Sequence, residues 1–356
     1  MLDKRRLHAL GSSPCTLIFL VALALTGCLS FWLHIDGSGF TGPYSSGASA
    51  PGYLLILPRN VTPSPQPYLT HELPFGDRST LIDIKDFRFV INHDPCNRTH
   101  PFLLMLVHSA PENFAKRNVV RETWGQQSSD VALLFLVGSS DKHQPKLEEE
   151  NKRYKDLIQG NFLDAYRNMT YKHVMALKWA TYHCPSAKYI LKLDDDVFVH
   201  ISALMDFLTR DLSPCGARRL ILCDLLSAAA VKRSWRSKWR VSPQEYPGTH
   251  YPPYCAGWAI LYSPDSVFLL YREAQKAPYF WIDDVHVTGT LARKVNITQT
   301  SLHYLVLTYK NMQEVLANPS SRREFLFGPP NLTEKQIRAL QNLVTKPRPS
   351  SESLLN

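Results

Sequence analysis

Apolar and polar positions divide this chain into three textures. From residue 9 to residue 33 no Lys, Arg, Asp or Glu interrupts the sequence, and Lys4, Arg5 and Arg6 precede that run. At about 1.5 Å per residue its densest part, 15–33, covers roughly 28 Å, close to the hydrocarbon thickness of a bilayer. Basic residues on the N-terminal side place that end in the cytosol. A cleaved signal peptide with its core at 16–25 is the competing reading. The apolar run continues past any such cleavage site, which favours an uncleaved signal anchor. The pattern therefore predicts a cytosolic tail over 1–11 and a membrane-spanning helix over 12–33. The second texture, rich in Gly, Pro and Ser, buries little and reads as an extended stem over 34–100.

The third texture begins at Pro101. Short apolar runs at 102–107, 131–137, 188–193, 220–225 and 259–262 read as strands. Between them, 112–124 and 146–158 read as helices, as does a face made by Tyr171, Val174, Met175 and Tyr182, and 285–295 reads as a further helix. Strands alternating with helices predict an α/β domain with a mostly parallel sheet over 101–345, before a loose tail at 346–356. Ligands of such sheets bind beyond the carboxyl ends of the strands.

Composition narrows the classes. Hydrophobic residues at 44% and charged residues at 20% exclude a mostly disordered chain and a polytopic membrane protein. A net charge of +9 is basic without announcing nucleic acid. Asn-x-Thr sequons at Asn60, Asn97, Asn168, Asn296 and Asn331 fit a secretory lumen. Five of the seven cysteines (Cys96, Cys184, Cys215, Cys223, Cys255) fall on that side, where disulfides persist. Two bridges and one spare thiol are expected, with the pairing open. No CxxC or CxxH spacing suggests zinc.

Several segments carry chemistry. Asp194, Asp195 and Asp196 follow an apolar strand, and adjacent acids repel unless a cation compensates. Alternation along extended backbone would aim Asp194 and Asp196 at one centre, with hard oxygen donors suited to Mg²⁺ or Mn²⁺ and substrate phosphate. A solvated acidic turn is the alternative. Asp283 and Asp284 follow Tyr279-Phe280-Trp281-Ile282. Beside such apolar neighbours a carboxylate can have a raised pKa and act as a general base, or it can simply cap a helix. Arg117 and Arg121 are four apart, so they share a helical face that could clamp a diphosphate or pair with acids. Residues 232–240 set five basic residues among Trp235 and Trp239, suited to sugar rings or a phosphate-bearing donor, or to a basic loop with two core tryptophans. Tyr251-Pro252-Pro253-Tyr254-Cys255-Ala256-Gly257-Trp258 is a rigid approach in which Gly257 permits close backbone contact with a ligand or strand.

Taken in order, Arg117 to Trp124, Asp164 to Thr170, the Asp194–Asp196 run, Ser237-Lys238-Trp239, Glu245-Tyr246-Pro247, Tyr251 to Gly257 and Asp283-Asp284-Val285 resemble the β-1,3-galactosyltransferase and β-1,3-N-acetylglucosaminyltransferase family of the Golgi. The likeness spans roughly 101–310. It implies a GT-A fold, Rossmann-like with a mostly parallel sheet flanked by helices, in a single-pass type II protein of the Golgi membrane with its catalytic domain lumenal. It implies a UDP-sugar donor held through Mn²⁺ or Mg²⁺ and a glycan acceptor on protein or lipid. By resemblance Asp196, with Asp194, holds the metal, and Asp195 lies in the same motif. Asp284 is the base; Arg117 and Arg121 flank the nucleotide; Lys238, Trp239, Gly257, Trp258 and Asp283 contact substrate. One departure stands out: Ala259 and Ile260 occupy positions where the family usually has a Gly and then an aromatic. Galactose is the expected donor sugar, with N-acetylglucosamine and N-acetylgalactosamine as alternatives. A non-catalytic lumenal sugar-binding protein would need neither Asp196 nor Asp284; a metal-dependent phosphohydrolase would need more ligands than the sequence offers.

Overall fold

A computed structural model describes residues 68–97, 100–318 and 323–346. The expected tail, anchor helix, most of the stem and nearly all of the loose C-terminal segment lie outside these residues. Among the described residues no helix is long and apolar enough to cross a membrane.

Eight strands form one sheet: β1 (Phe89–Ile91), β2 (Leu103–His108), β3 (Val131–Ser139), β4 (Leu157–Leu163), β5 (Tyr189–Asp194), β6 (Ile221–Leu226), β7 (Tyr254–Tyr262) and β8 (Thr300–Ser301). Their order is β1-β4-β3-β2-β5-β7-β6-β8. The central run β4-β3-β2-β5 is parallel, and β2 is buried throughout, as a strand covered on both faces must be. β7 runs antiparallel to both β5 and β6, and β1 antiparallel to β4. The sheet is therefore mixed, and the expected parallel character holds only at its centre. The reversal matters to the site, because it brings the entrance of β7 alongside the exit of β5.

The helices are α1 (Phe114–Glu122), α2 (Gln144–Tyr154), α3 (Met169–His183), α4 (Ile201–Asp206), α5 (Pro264–Ala274), α6 (the π-helical Val285–Leu291, continued by Ala292–Lys294), α7 (Tyr309–Ala317) and α8 (Glu334–Thr345). Thr333 closes a capping box with Gln336 at the start of α8. α2 stops at Lys155, which takes a left-handed conformation. The expected helix over 146–158 thus ends early, and β4 begins at Leu157. On one face of the sheet Leu104, Leu106, Leu134 and Ile190 pack with Val174 and Trp179 of α3 and Val267, Phe268 and Tyr271 of α5. α3 is buried nearly all round and takes Lys172, His173 and Lys178 inside with it.

Residues 68–97, expected to be stem, fold onto the domain instead. Leu81 and Phe87 are buried in the α3/α5 face. Asp77, 3% exposed, accepts from the hydroxyls of Tyr182 at 2.7 Å and Tyr271 and from Gln275 at 3.0 Å. The Lys178 ammonium donates to the carbonyl oxygens of Asp77 and Thr80 and lies 3.7 Å from the Asp77 carboxylate. Cys96 is bridged to Cys184 at the end of α3, and Cys223 of β6 to Cys255 of β7, leaving Cys215 as a free, exposed thiol. That is the expected count of bridges.

Candidate active site

β5 carries Lys192 and Asp194, two residues apart and so on one side of the strand. The Lys192 ammonium, 3% exposed, donates to Asp194 at 2.8 Å and to the carbonyl oxygen of Gly257 in β7. Burial works to lower its pKa, but Asp194, Asp283 and Asp284 outweigh it and hold it above the usual lysine value. Asp194 is pushed up by burial, against the pull of Lys192. Lys192 thus joins the strand end to the opening of β7.

Asp283 and Asp284 sit where α6 begins. Asp284 accepts from the Val285 N–H at 2.8 Å, so it is the helix cap that its position allowed. It is also much more. Burial first, then the charge of Asp283, push its pKa up to about 7. Asp283 behaves oppositely. Burial works to raise it, yet the hydrogen bond from His173 and the charge of Lys192 bring it below the ordinary carboxylate range. His173 lies 2.9 Å from Asp283 through Nδ1 and 3.1 Å from the Tyr262 hydroxyl through Nε2. Because a carboxylate only accepts, Nδ1 donates to Asp283 and Nε2 accepts a hydrogen bond from the Tyr262 hydroxyl. Burial lowers His173, in keeping with that neutral tautomer. Two adjacent acids are driven apart, one kept ionised and one poised to exchange a proton near neutrality.

Gly257 faces Asp284 directly. A Cβ at Gly257 would lie 3.3 Å from the Asp284 Cβ and 3.4 Å from Oδ2. Replacing it with Ala should therefore displace the carboxylate by a few tenths of an ångström. The expected result is a kcat lowered about tenfold or more with thermal stability nearly unchanged, read by steady-state kinetics beside a melting curve.

Alternation aimed Asp194 and Asp196 at one centre, but β5 ends at Asp194, a turn follows, and the two carboxylates engage different lysines. Asp194 turns to Lys192. Asp195, 4% exposed, accepts from Ser109 Oγ at 2.7 Å and Asn113 Nδ2 at 2.8 Å. Lys116 of α1 donates to Asp196 at 2.9 Å and lies 3.4 Å from Asp195. Among the described residues no three His, Cys, Asp or Glu side chains converge into a closed metal cage.

The two arginines of the expected clamp are engaged within the protein. Arg117 has no exposed surface. Its guanidinium donates to both Glu150 oxygens at 2.8 and 2.7 Å, to Ser109 Oγ at 2.8 Å, and to the carbonyls of Ala110 at 2.6 Å and Pro111 at 3.2 Å. All five donors are used, so none remains for a diphosphate. Arg121 pairs with Glu150 and Asp156, both buried. Arg117 steadies the Ser109 that holds Asp195. Trp258 is likewise no surface contact: it is 8% exposed and packs edge-on against Phe327. Lys238 and Trp239 are exposed, with the Lys238 ammonium 6.0 Å from the ring centre of Tyr166. The tryptophans of 232–240 are thus not core residues.

Sequence reasoning missed Ser109, Asn113, Lys116, His173 and Lys192. Lys192 was findable, as a lysine inside an apolar strand two residues before Asp194. His108 was missed too: level with Asp194 on β2, it is buried with neither ring nitrogen hydrogen-bonded.

A family model described as Galactosyltransferase matches residues 115–303. Beta-1,3-galactosyltransferase 5 of Gorilla gorilla gorilla is 33% identical over 237 residues, 65% of this chain and 78% of that protein. The Homo sapiens protein of the same name is 33% identical over 237 residues, 65% of this chain and 75% of its own length. Beta-1,3-galactosyltransferase 1 of Mus musculus is 32% identical over 231 residues, 63% of this chain and 70% of its own length. The matched span takes in Lys116, His173, Lys192, Asp194–Asp196, Gly257, Asp283 and Asp284. The chain belongs to the galactosyltransferase family and is a glycosyltransferase.

Proposed function

We propose that this enzyme transfers a hexose, galactose in the first instance, from a UDP-sugar to the 3-hydroxyl of an acceptor glycan, giving a β-1,3 linkage with inversion. The observation that carries the reading is Asp284, its pKa pushed up to about 7, set against the bare backbone of Gly257 and beside the ionised Asp283. An α-linked UDP-sugar becoming a β-linked product requires a single displacement, which needs one base on the acceptor side. Asp284 takes the proton of the attacking hydroxyl, while Lys192 and Asp283 fix its position and charge. Family membership and the mixed sheet with a parallel centre support a GT-A fold.

Asp196 suits a hard divalent cation such as Mn²⁺ or Mg²⁺, which is held by one or two carboxylates and completed by phosphate oxygens and water. The Lys116 ammonium beside Asp195 and Asp196 marks the place as one where positive charge is stabilised. A cation held there supplies charge neutralisation of the departing nucleotide. Two disulfides support a lumenal domain of a type II Golgi membrane protein. Ala259, buried opposite Leu193, is the departure that keeps N-acetylglucosamine and N-acetylgalactosamine as alternative donor sugars.

The test is turnover of UDP-galactose and its two N-acetylhexosamine counterparts by the full chain on a panel of acceptors, with and without EDTA, and NMR of the product. A β-1,3-linked product formed only with free divalent cation is expected. An α-linked product, or no transfer from any of the three donors, overturns the proposal.

A further inference from the structure

Between β6 and β7 the chain makes a long excursion, 229–251, that borders the acidic centre. It is a built element. Ala230 bridges His250, and backbone hydrogen bonds join Val231 to Thr249, Tyr251 to Ala229 and Val241 to Lys232. The Arg233 guanidinium ties it together from inside, donating to the carbonyls of Val241, Tyr246 and Gly248 at 2.7–2.9 Å. Val231, Val241 and Tyr251 pack against Trp281, Ile282 and Val285, on either side of Asp283 and Asp284.

At its tip run two consecutive turns, closed by Ser237 N–H to Ser234 carbonyl at 3.0 Å and by Arg240 N–H to Ser237 carbonyl at 3.1 Å. Their central residues are Trp235-Arg236 and Lys238-Trp239, so each turn presents one indole and one cation. The Arg236 guanidinium lies 5.0 Å from the Trp235 ring centre and the Lys238 ammonium 4.4 Å from that of Trp239. Trp235 is 76% exposed and Trp239 47%. Lys232, Arg236, Lys238 and Arg240 are all exposed, and among the described residues none has a carboxylate within ion-pair distance. Surface cations free of acids, paired with exposed indoles on a braced loop, are open to a ligand.

We propose that this double turn binds the acceptor, and that the acceptor is an anionic glycan, carrying a carboxylate or a sulfate ester on a sugar near the one that receives the hexose. The inference rests on the transferase reading and names its acceptor class. The indoles offer flat apolar faces to the C–H side of pyranose rings, and the adjacent cations offer charge-assisted hydrogen bonds to the anion. The position suits the acceptor rather than the donor. The Lys238 ammonium lies 6.0 Å from the Tyr166 ring centre, and that ring 6.0 Å from the indole of Trp281, two residues before Asp283, whereas Lys116 and Asp196 meet between α1 and the turn after β5.

The test measures binding first, by calorimetry on the full chain without donor. The probes are a neutral disaccharide, its glucuronate-bearing and sulfate-bearing counterparts, and a single-stranded oligonucleotide of matched charge. One or both anionic sugars should bind about tenfold tighter than the neutral one at low salt, and the gap should narrow as salt is added. Which of the two wins identifies the anion. The Trp235→Ala/Arg236→Ala double variant should weaken the anionic sugars about tenfold while leaving the affinity for UDP unchanged. Equal binding of neutral and anionic sugars overturns the proposal, as does equal or tighter binding of the oligonucleotide. So does an equal loss for neutral and anionic sugars in the double variant. Preserved anionic-sugar binding without any sugar transfer would instead sink the transferase reading, so the two failures are distinguishable.

Discussion

Asp284→Asn should lower sugar transfer by about 10²–10⁴-fold while leaving UDP binding intact, the range a general base contributes. The amide keeps the shape of the side chain and can still accept from the Val285 N–H, so the start of α6 is preserved. Acid sensitivity gives a second signature. The base works only when deprotonated, so wild-type transfer should fall below an apparent pKa of about 7 as the pH drops. The residual activity of the variant should lack that limb. Stability should move the other way. A carboxyl whose native pKa lies above its unfolded value contributes stability at low pH, and that contribution is lost as pH rises through the native pKa. Above pH 7 the wild type therefore holds a disfavoured charge beside Asp283, which the amide removes. The variant should melt a few degrees higher than wild type at pH 8, and the gap should close below about pH 4. Transfer surviving within tenfold, or an acid limb that persists in the variant, would mean the base lies elsewhere.

Arg117→Ala should cost about 3–5 kcal/mol, lowering the melting temperature by roughly 10 °C. The loss leaves the buried Glu150 with only Arg121, and frees the Ala110 and Pro111 carbonyls and the Ser109 hydroxyl that Arg117 now organises. Arg117→Lys should recover little, because a single ammonium cannot reproduce the planar fork that spans Glu150 and the loop. A melting curve beside a UDP titration decides the matter. If the melting temperature holds while UDP affinity falls, the arginine binds diphosphate after all.

The two arginines also mark where the sequence was legible and where it was not. Four-residue spacing placed Arg117 and Arg121 on one helical face, and α1 bears that out. Spacing could not say which way the face turns. Glu150 and Asp156, which claim it, lie on a separate helix and at the start of a separate strand, reached only through tertiary packing. Period-two reasoning failed at Asp194–Asp196 for a local cause: the strand stops and a turn redirects the next two carboxylates toward Ser109, Asn113 and Lys116. Apolar runs gave β2, β3 and β5 because buried parallel strands need continuous hydrophobic sequence. β4 was hidden because its Gln159, Gly160 and Asn161 break the run. At Asp283-Asp284 the aromatic context already suggested a perturbed acid. The asymmetry between the two depends on His173, 110 residues earlier in the chain, and no local signal carries it.

The clasp around Asp77 bears on how this enzyme is to be produced. A boundary drawn by hydropathy at Pro101 looks natural, since the strong strand pattern starts there. Cutting there would remove Asp77 and Thr80 and strand the Lys178 ammonium, 1% exposed, in an apolar face with only the Tyr271 hydroxyl for company. It would also take away Cys96 and leave Cys184 as an unbridged thiol. A soluble secreted form should therefore begin ahead of Tyr68, which stacks on Phe268 and donates to the Thr181 carbonyl, so that the whole belt travels with the fold it fastens.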